Sequence, residues 1–414
     1  MRDISLLLIL LGLAWVAWLR PWLGVLGLAV LSYMHPQGYA TGFMRDVPIF
    51  LYLFGWVSLS ALYRTWRDKA WTTLPWRRLL DWRVYGLLVL WAWFGVTSHF
   101  SVAPWEAWDK YREVLKILPP FLLTLLLIDT REKLYYLLVA IALSILLVAL
   151  KGGYWAVLSG FQDRVYGPPG SQHGGNNEFA VAVAMAIPLM LLWLRETRDR
   201  ALRIVLLAGI ALSYASVVSS WSRGGMLALA AMTLLLVLRS RRKLLAIPLL
   251  LALAALLFVQ LPDQWFGRME TVTAYQADES ASRRMQAWQV GLEFANKHPV
   301  TGGGFNAWPA LTLTTAGGID WHSAYVEMLA EHGYVGLLLW AGLLVATLLS
   351  LSWRGSRRTA WQNDYAAMLQ ASLLAYLVGG ATLGIAYWEL PYHLIVLAAL
   401  FAGLSSSRQR LDGV

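Results

Sequence analysis

The sequence predicts an all-α, polytopic membrane protein, and its composition and repeated apolar runs carry that prediction. Hydrophobic residues make up 58% of the chain and charged residues 14%, which is too apolar for an ordinary soluble domain. Apolar runs of about 15 to 25 residues recur along the whole chain, and runs of this length cross a hydrocarbon core as helices. We therefore expect membrane lipids around most of the protein.

The apolar runs predict about twelve membrane spans in a single integral membrane domain, residues 1–414. The first two runs are short and are separated only by Arg20 and Pro21, so one of them could be re-entrant or interfacial. The runs occupy residues 4–19, 22–35, 48–63, 84–98, 113–128, 134–158, 178–194, 202–219, 225–238, 244–260, 324–352, 366–384 and 391–405.

The distribution of basic residues predicts orientation in the membrane and not nucleic-acid binding. The formal net charge is +10, but Lys and Arg stand in short clusters between apolar runs, and such clusters mark cytoplasmic loops. Because successive spans cross the membrane in opposite directions, we expect three connections on the outer face: the 159–177 loop, the Ser222–Gly225 turn and the long polar segment 261–321. The clusters are Arg195, Arg198, Arg200 and Arg203; Arg239, Arg241, Arg242 and Lys243; and Arg354, Arg357 and Arg358.

Two outer-face segments have distinct compositions. The 159–177 loop is rich in Gly, Pro and Asn, which predicts irregular backbone that is buried in protein or lines a cavity. The stretch from Trp105 to Lys116 mixes charged residues with Trp and Leu, and it predicts an amphipathic helix at the outer interface, ending before Pro119 and Pro120.

Arg283 and Arg284 form the first candidate anion site. They stand at the predicted start of a helix, where the helix dipole disfavours cations and favours anions. Two arginines there are explained if a phosphate binds between them, because a guanidinium group binds phosphate through two parallel hydrogen bonds. The alternative is that Asp278 and Glu279 simply neutralise the two arginines.

Arg223 is the second candidate for binding an anion. It ends an apolar run and is followed by Gly224 and Gly225, and an arginine so close to hydrocarbon needs a partner or a route to water. The alternative is that its side chain extends to the interface without any ligand. Arg164 and Lys116 are weaker candidates for substrate contact on the same face.

His322 is the candidate general base. It opens a predicted span and follows Asp320, and its reference pKa of about 6.5 suits proton transfer near neutral pH. The alternative is a hydrogen-bonded structural histidine. Glu327 and Glu331 lie one helical turn apart and could orient a neighbour or pair with an arginine, and His332 before a glycine predicts a helix interruption.

Several absences narrow the chemistry. The chain has no cysteine, no HExxH or GxSxG motif, no DxD-type acidic pair on an outer loop and no phosphate-binding loop. We therefore expect neither a metal ion nor a cofactor. The remaining candidate site contains arginines and one histidine, which suits an anionic leaving group and a hydroxyl nucleophile.

Three separated motifs resemble the O-antigen ligase family, which contains lipopolysaccharide ligases and their polymerase relatives. They are WSRGG from Trp221, SRRMQAW followed by KHPVTGGGF, and WHSAYVEMLAEHGYVG from Trp321. The stretch GPPGSQHGGNNEFAVAVAMAIPL is most similar to the branch of exosortase-associated O-glycosylation ligases. The resemblance covers about residues 160–345.

The resemblance implies a GT-C-like glycosyltransferase of the bacterial inner membrane, with a large periplasmic loop at 261–321. It implies transfer of a glycan from undecaprenyl pyrophosphate to an acceptor hydroxyl, which for a ligase belongs to the lipid A-core. The family's functional arginines fall on Arg284 and Arg223 and its histidine on His322. The family often has Asn after the histidine, where this chain has Ser323.

The resemblance also implies a mechanism, in which His322 deprotonates the acceptor while Arg284 and Arg223 bind the departing pyrophosphate. A single displacement without metal would invert the anomeric centre. Three other functions stay open: a repeat-unit polymerase, a protein O-glycosylation ligase, and a lipid-glycan flippase. A flippase would place its charges along a crossing path, whereas the candidates here share one face.

Overall fold

The computed structural model describes residues 2–240, 243–270, 279–313, 317–352 and 358–411, and this part is built from α-helices without a β-strand. The first helices are α1 (Arg2–Leu19), α2 (Pro21–Met34), α3 (Ile49–Arg67), α4 (Trp82–His99), α5 (Pro104–Leu115), α6 (Leu118–Leu127), α7 (Arg131–Leu158) and α8 (Asn176–Glu196). The others are α9 (Arg200–Ser219), α10 (Arg223–Arg239), α11 (Lys243–Val259), α12 (Asp263–Glu270), α13 (Glu279–Lys297), α14 (Trp308–Thr312), α15 (Ala324–Ser352), α16 (Ala360–Gly379) and α17 (Glu389–Leu411).

Helix α8 lies in the core of the bundle. It packs against α7, α9, α10 and α16, and most of its side chains are buried. Alanines at every second position from Ala180 to Ala186 let neighbouring helices approach closely, as small residues do in membrane bundles. Helices α7 and α9 also pack closely, since a Cβ added at Gly153 would lie 2.1 Å from the Leu212 carbonyl oxygen.

Six described helices are long and apolar enough to cross a membrane: α1, α7, α8, α9, α15 and α16. A seventh span results if α4 is counted together with the preceding segment Ala70–Leu80. The two segments meet at a bend of 74°. Helices α2, α11 and α17 contain shorter apolar stretches. The structure thus confirms an all-helical chain with several potential membrane spans, but not the predicted number of about twelve.

The predicted span 113–128 is wrong because the helix is interrupted. Helix α5 ends at Leu115 and α6 begins at Leu118, immediately before Pro119 and Pro120. Two prolines cannot donate backbone hydrogen bonds, but they are well tolerated in the first turn of a new helix. The ten residues of α6 extend about 15 Å, half of the roughly 30 Å hydrocarbon core.

Two local predictions are confirmed and one is shifted. The amphipathic segment from Trp105 forms α5, and the 159–177 loop lacks regular helix as far as residue 175, where α8 follows. A turn separates α9 from α10, but it lies before the predicted Ser222–Gly225, because α10 already begins at Arg223. The turn ends at Ser222, whose side-chain oxygen accepts a hydrogen bond from the Gly225 N–H at 3.0 Å, which caps α10. Of the basic clusters, Arg241, Arg242, Arg354 and Arg357 lie outside the described residues.

Helix α15 is interrupted at Gly333, as the position of His332 before a glycine predicted. Gly333 has φ of 68°, a left-handed conformation that favours glycine. The interruption leaves the Ala330 and Glu331 carbonyls without helical donors. Two glycines of the cluster Gly302–Gly304 donate hydrogen bonds to these carbonyls instead. The Gly303 N–H donates to Ala330 at 2.8 Å and the Gly304 N–H to Glu331 at 2.7 Å.

Candidate active site

His322 lies in a short turn between α14 and α15. Its φ is 45°, and the turn is fixed from both sides of the histidine. On one side, the Trp321 N–H donates to the Asp320 side chain at 2.6 Å. On the other side, the Ser323 carbonyl accepts the first hydrogen bond of α15, from the Glu327 N–H at 2.8 Å.

The fully buried Trp321 joins this turn to the helix that carries the candidate arginines. Its carbonyl oxygen accepts a hydrogen bond from the Trp288 indole N–H at 2.7 Å, and its own indole N–H donates to Glu331 at 3.2 Å. A Cβ added at Gly291 would lie 3.0 Å from the Trp321 ring. Because Arg284 precedes Trp288 by one helical turn on the same face of α13, this contact holds Arg284 towards the His322 turn.

The electrostatic surroundings favour neutral His322. Burial lowers the pKa of His322 below its usual 6.5, the positive charge of Arg284 lowers it further, and Asp320 opposes both effects. Burial raises the pKa of Asp320, while the nearby His322 charge lowers it. A neutral imidazole can accept a proton, so the structure brings Arg284 together with a histidine suited to act as a base.

Arg223 and Arg164 lie together at a neighbouring turn. The Arg164 guanidinium carbon is 5.4 Å from the ring centre of Trp221, two residues before Arg223 at the start of α10. The 159–175 loop is fixed against this turn because the Val165 N–H donates to the Ser219 carbonyl at 3.0 Å. Both arginines are therefore held at one end of α9 and α10.

A 3-10 turn, Gly380–Thr382, connects the Arg223 turn with the His322 turn. A Cβ added at Gly224 would lie 2.1 Å from the Thr382 hydroxyl, and one added at Gly380 would lie 3.4 Å from the Ala324 Cβ. The start of α10 and the start of α15 thus pack against the same short segment.

The other two predicted residues occupy different positions. Arg283 is exposed and directly precedes Arg284 in α13. Lys116 follows the end of α5 and lines a separate cavity with His173 and Glu389. Asp278, expected as an alternative partner of the arginines, lies outside the described residues.

The two glutamates of α15 orient neighbouring groups, which was one of the two roles expected for them. Glu327 accepts a hydrogen bond from the Ala386 N–H at 3.0 Å, and Glu331 accepts one from the Tyr387 hydroxyl at 2.7 Å. Tyr387 also lies 2.8 Å from His332 Nε2. Sequence reasoning missed Tyr387 because nothing in the 384–388 segment indicates its contact with a glutamate 56 residues earlier.

A polar cavity of about 390 Å³ opens beside the His322 turn. Asp320, Glu327, Glu331 and Tyr387 contribute to its lining. In the described part of the chain, no three His, Asp or Glu side chains converge as a group that could hold a metal ion.

Comparison with known families identifies the central region. Residues 208–341 match the family model described as O-antigen ligase. The matched region, about a third of the chain, is similar to O-antigen ligases. All three motifs that resembled this family in the sequence lie inside the matched region, which contains Arg223, Arg284 and His322.

A second match covers the N-terminal part of the chain. Residues 1–199 match a family of unknown function (DUF5935), and this region contains Lys116 and Arg164. The chain has no match among curated proteins.

Proposed function

We propose that this protein is an O-antigen ligase, which transfers a glycan from undecaprenyl pyrophosphate to a hydroxyl of the lipid A-core oligosaccharide. The reaction takes place on the periplasmic face of the bacterial inner membrane. The observation that supports it best is His322, with its lowered pKa, held beside Arg284. Burial and the arginine charge keep this imidazole neutral and able to take a proton near neutral pH.

In the proposed reaction, neutral His322 accepts the proton of the acceptor hydroxyl. The hydroxyl oxygen forms a bond to the anomeric carbon of the donor glycan as the bond from that carbon to the pyrophosphate oxygen breaks. The electron pair of the broken bond leaves with undecaprenyl pyrophosphate. A single displacement of this kind inverts the anomeric centre.

The arginines bind the pyrophosphate in this scheme. Arg284 acts closest to the reacting atoms, while Arg223, Arg283 and Arg164 contribute positive charge on the donor side. Negative charge on the bridging oxygen grows as the bond breaks, so guanidinium groups stabilise the transition state more than the bound donor. They replace the divalent metal that often accompanies pyrophosphate chemistry, and we expect the transfer to be metal-independent.

Product analysis tests this function. Purified protein in liposomes is supplied with undecaprenyl pyrophosphate-linked glycan and lipid A-core, with His322→Ala as the inactive control. We expect a glycosylated lipid A-core with inverted anomeric configuration, formed equally well in EDTA. Elongation of the lipid-linked glycan would instead identify a polymerase, and glycan movement without a product would identify a flippase. Activity lost in EDTA and restored by magnesium would contradict metal independence.

A further inference from the structure

Two cavities share a wall in this protein. The first, here called the Asp320 cavity, is the one of about 390 Å³ beside the His322 turn. The second, here called the Glu389 cavity, measures about 240 Å³. Gly170, Ser171, Gln172 and Trp388 line both, so the cavities adjoin along this segment.

We propose that the two cavities bind consecutive sugar residues of the acceptor glycan. The Asp320 cavity holds the sugar whose hydroxyl reacts, and the Glu389 cavity holds the next sugar. This assignment rests on the proposed function and extends it, because it locates the acceptor and names residues that determine its binding.

The lining of the Asp320 cavity suits an acceptor sugar better than the donor pyrophosphate. Four carboxyl groups line it, with one lysine, and that lysine, Lys110, lies 3.0 Å from the carboxylate of Glu113. The described residues of the lining therefore offer an anionic pyrophosphate no cation that is not already paired, whereas carboxyl groups form hydrogen bonds with sugar hydroxyls in either protonation state. The donor phosphates belong with the arginines, and the hydroxyl-rich acceptor belongs in this cavity. The four carboxyl groups are those of Glu113, Asp320, Glu327 and Glu331.

The Asp320 cavity also borders the turn that carries the candidate base. Asp320 lines the cavity, stands two residues before His322, and interacts with the His322 charge. A sugar hydroxyl bound at this side of the cavity is therefore next to the turn that carries the imidazole. A proton acceptor must come within hydrogen-bond reach of its substrate hydroxyl, and this cavity provides the approach.

The Glu389 cavity offers the mixture of donors and acceptors that a sugar requires. The Ser32 hydroxyl donates to the Glu389 carboxylate, and Lys116 supplies a cation at the same cavity. The side-chain oxygen of Gln37, another lining residue, is a buried acceptor for which the described part of the chain provides no donor. A bound sugar hydroxyl satisfies such a buried acceptor.

The shared wall is preformed. The Gln172 side-chain oxygen accepts a hydrogen bond from the Glu389 N–H at 3.0 Å, and His173 Nε2 donates to the Tyr33 carbonyl at 2.9 Å. A Cβ added at Gly38 would lie 2.1 Å from the Pro169 carbonyl oxygen, so the loop is packed tightly against the chain after α2. Trp388 adds a flat apolar surface for the carbon face of a sugar ring.

Acceptors of two lengths test the proposal. The probes are synthetic acceptors with one or two sugar residues of the lipid A-core on the same lipid, used with the complete protein in liposomes. Lys116→Gln and Ser32→Ala should raise the KM for the two-sugar acceptor about tenfold, the effect of losing one hydrogen bond of roughly 1.4 kcal/mol. They should leave the KM for the one-sugar acceptor and for the donor unchanged. Trp388→Leu, which affects both cavities, should raise the KM for both acceptors.

The matched control is Lys151→Gln, because Lys151 contacts the Tyr39 ring at 5.1 Å and lines neither cavity. A raised donor KM in Lys116→Gln would overturn the proposal and place the donor glycan in the Glu389 cavity. Equal effects on both acceptor lengths, or none beyond the control, would exclude a second acceptor subsite. Failure of the proposed function is distinguishable, since wild-type protein would then transfer glycan to neither acceptor.

Discussion

His322 has φ of 45°, a backbone conformation that residues other than glycine rarely adopt. This conformation is unfavourable by roughly 1 to 2 kcal/mol and persists because Trp321 and Ser323 are both held by hydrogen bonds. Strained residues of this kind concentrate at functional sites. The conformation fixes the backbone from which the imidazole projects.

The pKa of His322 predicts how the rate of glycan transfer decreases at acidic pH, which is the acid limb of the pH profile. A base acts in its neutral form, so transfer should decrease as the pH falls through the His322 pKa, which lies below 6.5. The Asp320 charge raises that pKa, so Asp320→Asn should move the acid limb to still lower pH. Initial rates between pH 4.5 and 8 test this, with Asp263→Asn on α12 as the control. An acid limb above pH 6.5, or an upward shift in Asp320→Asn, would argue against His322 as the titrating base.

Replacement of Arg284 and replacement of His322 should have different effects on donor binding and on the transfer rate. Arg284→Ala should weaken donor binding and slow transfer, because pyrophosphate carries charge before and during departure, and Arg284→Lys should restore only part of both. His322→Ala should leave donor binding nearly intact and slow transfer by about 10² to 10⁴-fold. Donor binding is measured by titration of the purified protein, and transfer by single turnover. If His322→Ala removes donor binding as fully as Arg284→Ala in folded protein, the histidine is not the base.

The sequence identified candidate reacting residues better than the residues that position them. Arg284 and His322 stand in motifs that are local in the chain. The bond between Trp288 and Trp321, and the bond from Tyr387 to Glu331, join distant segments. Tryptophan and tyrosine are common throughout this membrane chain, so neither residue is distinguished by its type. Such contacts follow from packing, which periodicity does not specify.

At the scale of elements, the interruption of α15 has a measurable energetic consequence. Gly333→Ala should destabilise the protein by about 1 to 3 kcal/mol, because φ is 68° and the new Cβ would lie 2.3 Å from the Val300 carbonyl oxygen. Gly342→Ala on the same helix is the matched control, since a Cβ there has no atom within 4 Å. Thermal unfolding in detergent measures both variants. Equal midpoints for the two would show that the interruption does not depend on glycine.

Helix boundaries were predictable where the sequence contains a specific local signal. Pro104 begins α5, Ser222 caps α10, and the glycine-rich 159–175 stretch lacks a helix. Hydropathy alone misjudged 113–128, because an average over a window does not register that two prolines divide it. The capping of α15 by Gly303 and Gly304 could not be predicted, since it joins segments that are separate in the sequence.

For the whole molecule, the predicted orientation places α13 outside and the start of α16 inside. The chain contains no cysteine, so Gln289→Cys and Ala360→Cys, both at exposed positions, report each side separately. In intact spheroplasts, an impermeant thiol reagent should label Gln289→Cys and not Ala360→Cys, and permeabilised cells control for accessibility. The reverse labelling would invert the predicted topology and place the candidate site in the cytoplasm.

The class of the molecule followed from composition, but the number of spans did not. A high apolar content predicts helices whose side chains are buried in lipid or against other helices. It does not distinguish a helix that crosses the membrane from a short one such as α6, packed between α2, α5 and α17. That distinction depends on helix length and on neighbours contributed by remote parts of the chain.

The hydrogen bonds that close the α15 interruption also set an order of assembly during synthesis. Gly303 and Gly304 leave the ribosome before their acceptors Ala330 and Glu331, so these two bonds form only after that part of α15 has been made. Glu327 and Glu331 receive their partners, Ala386 and Tyr387, later still. A nascent chain therefore lacks the hydrogen-bond donors of both glutamates until residues 386 and 387, just before α17, have been made.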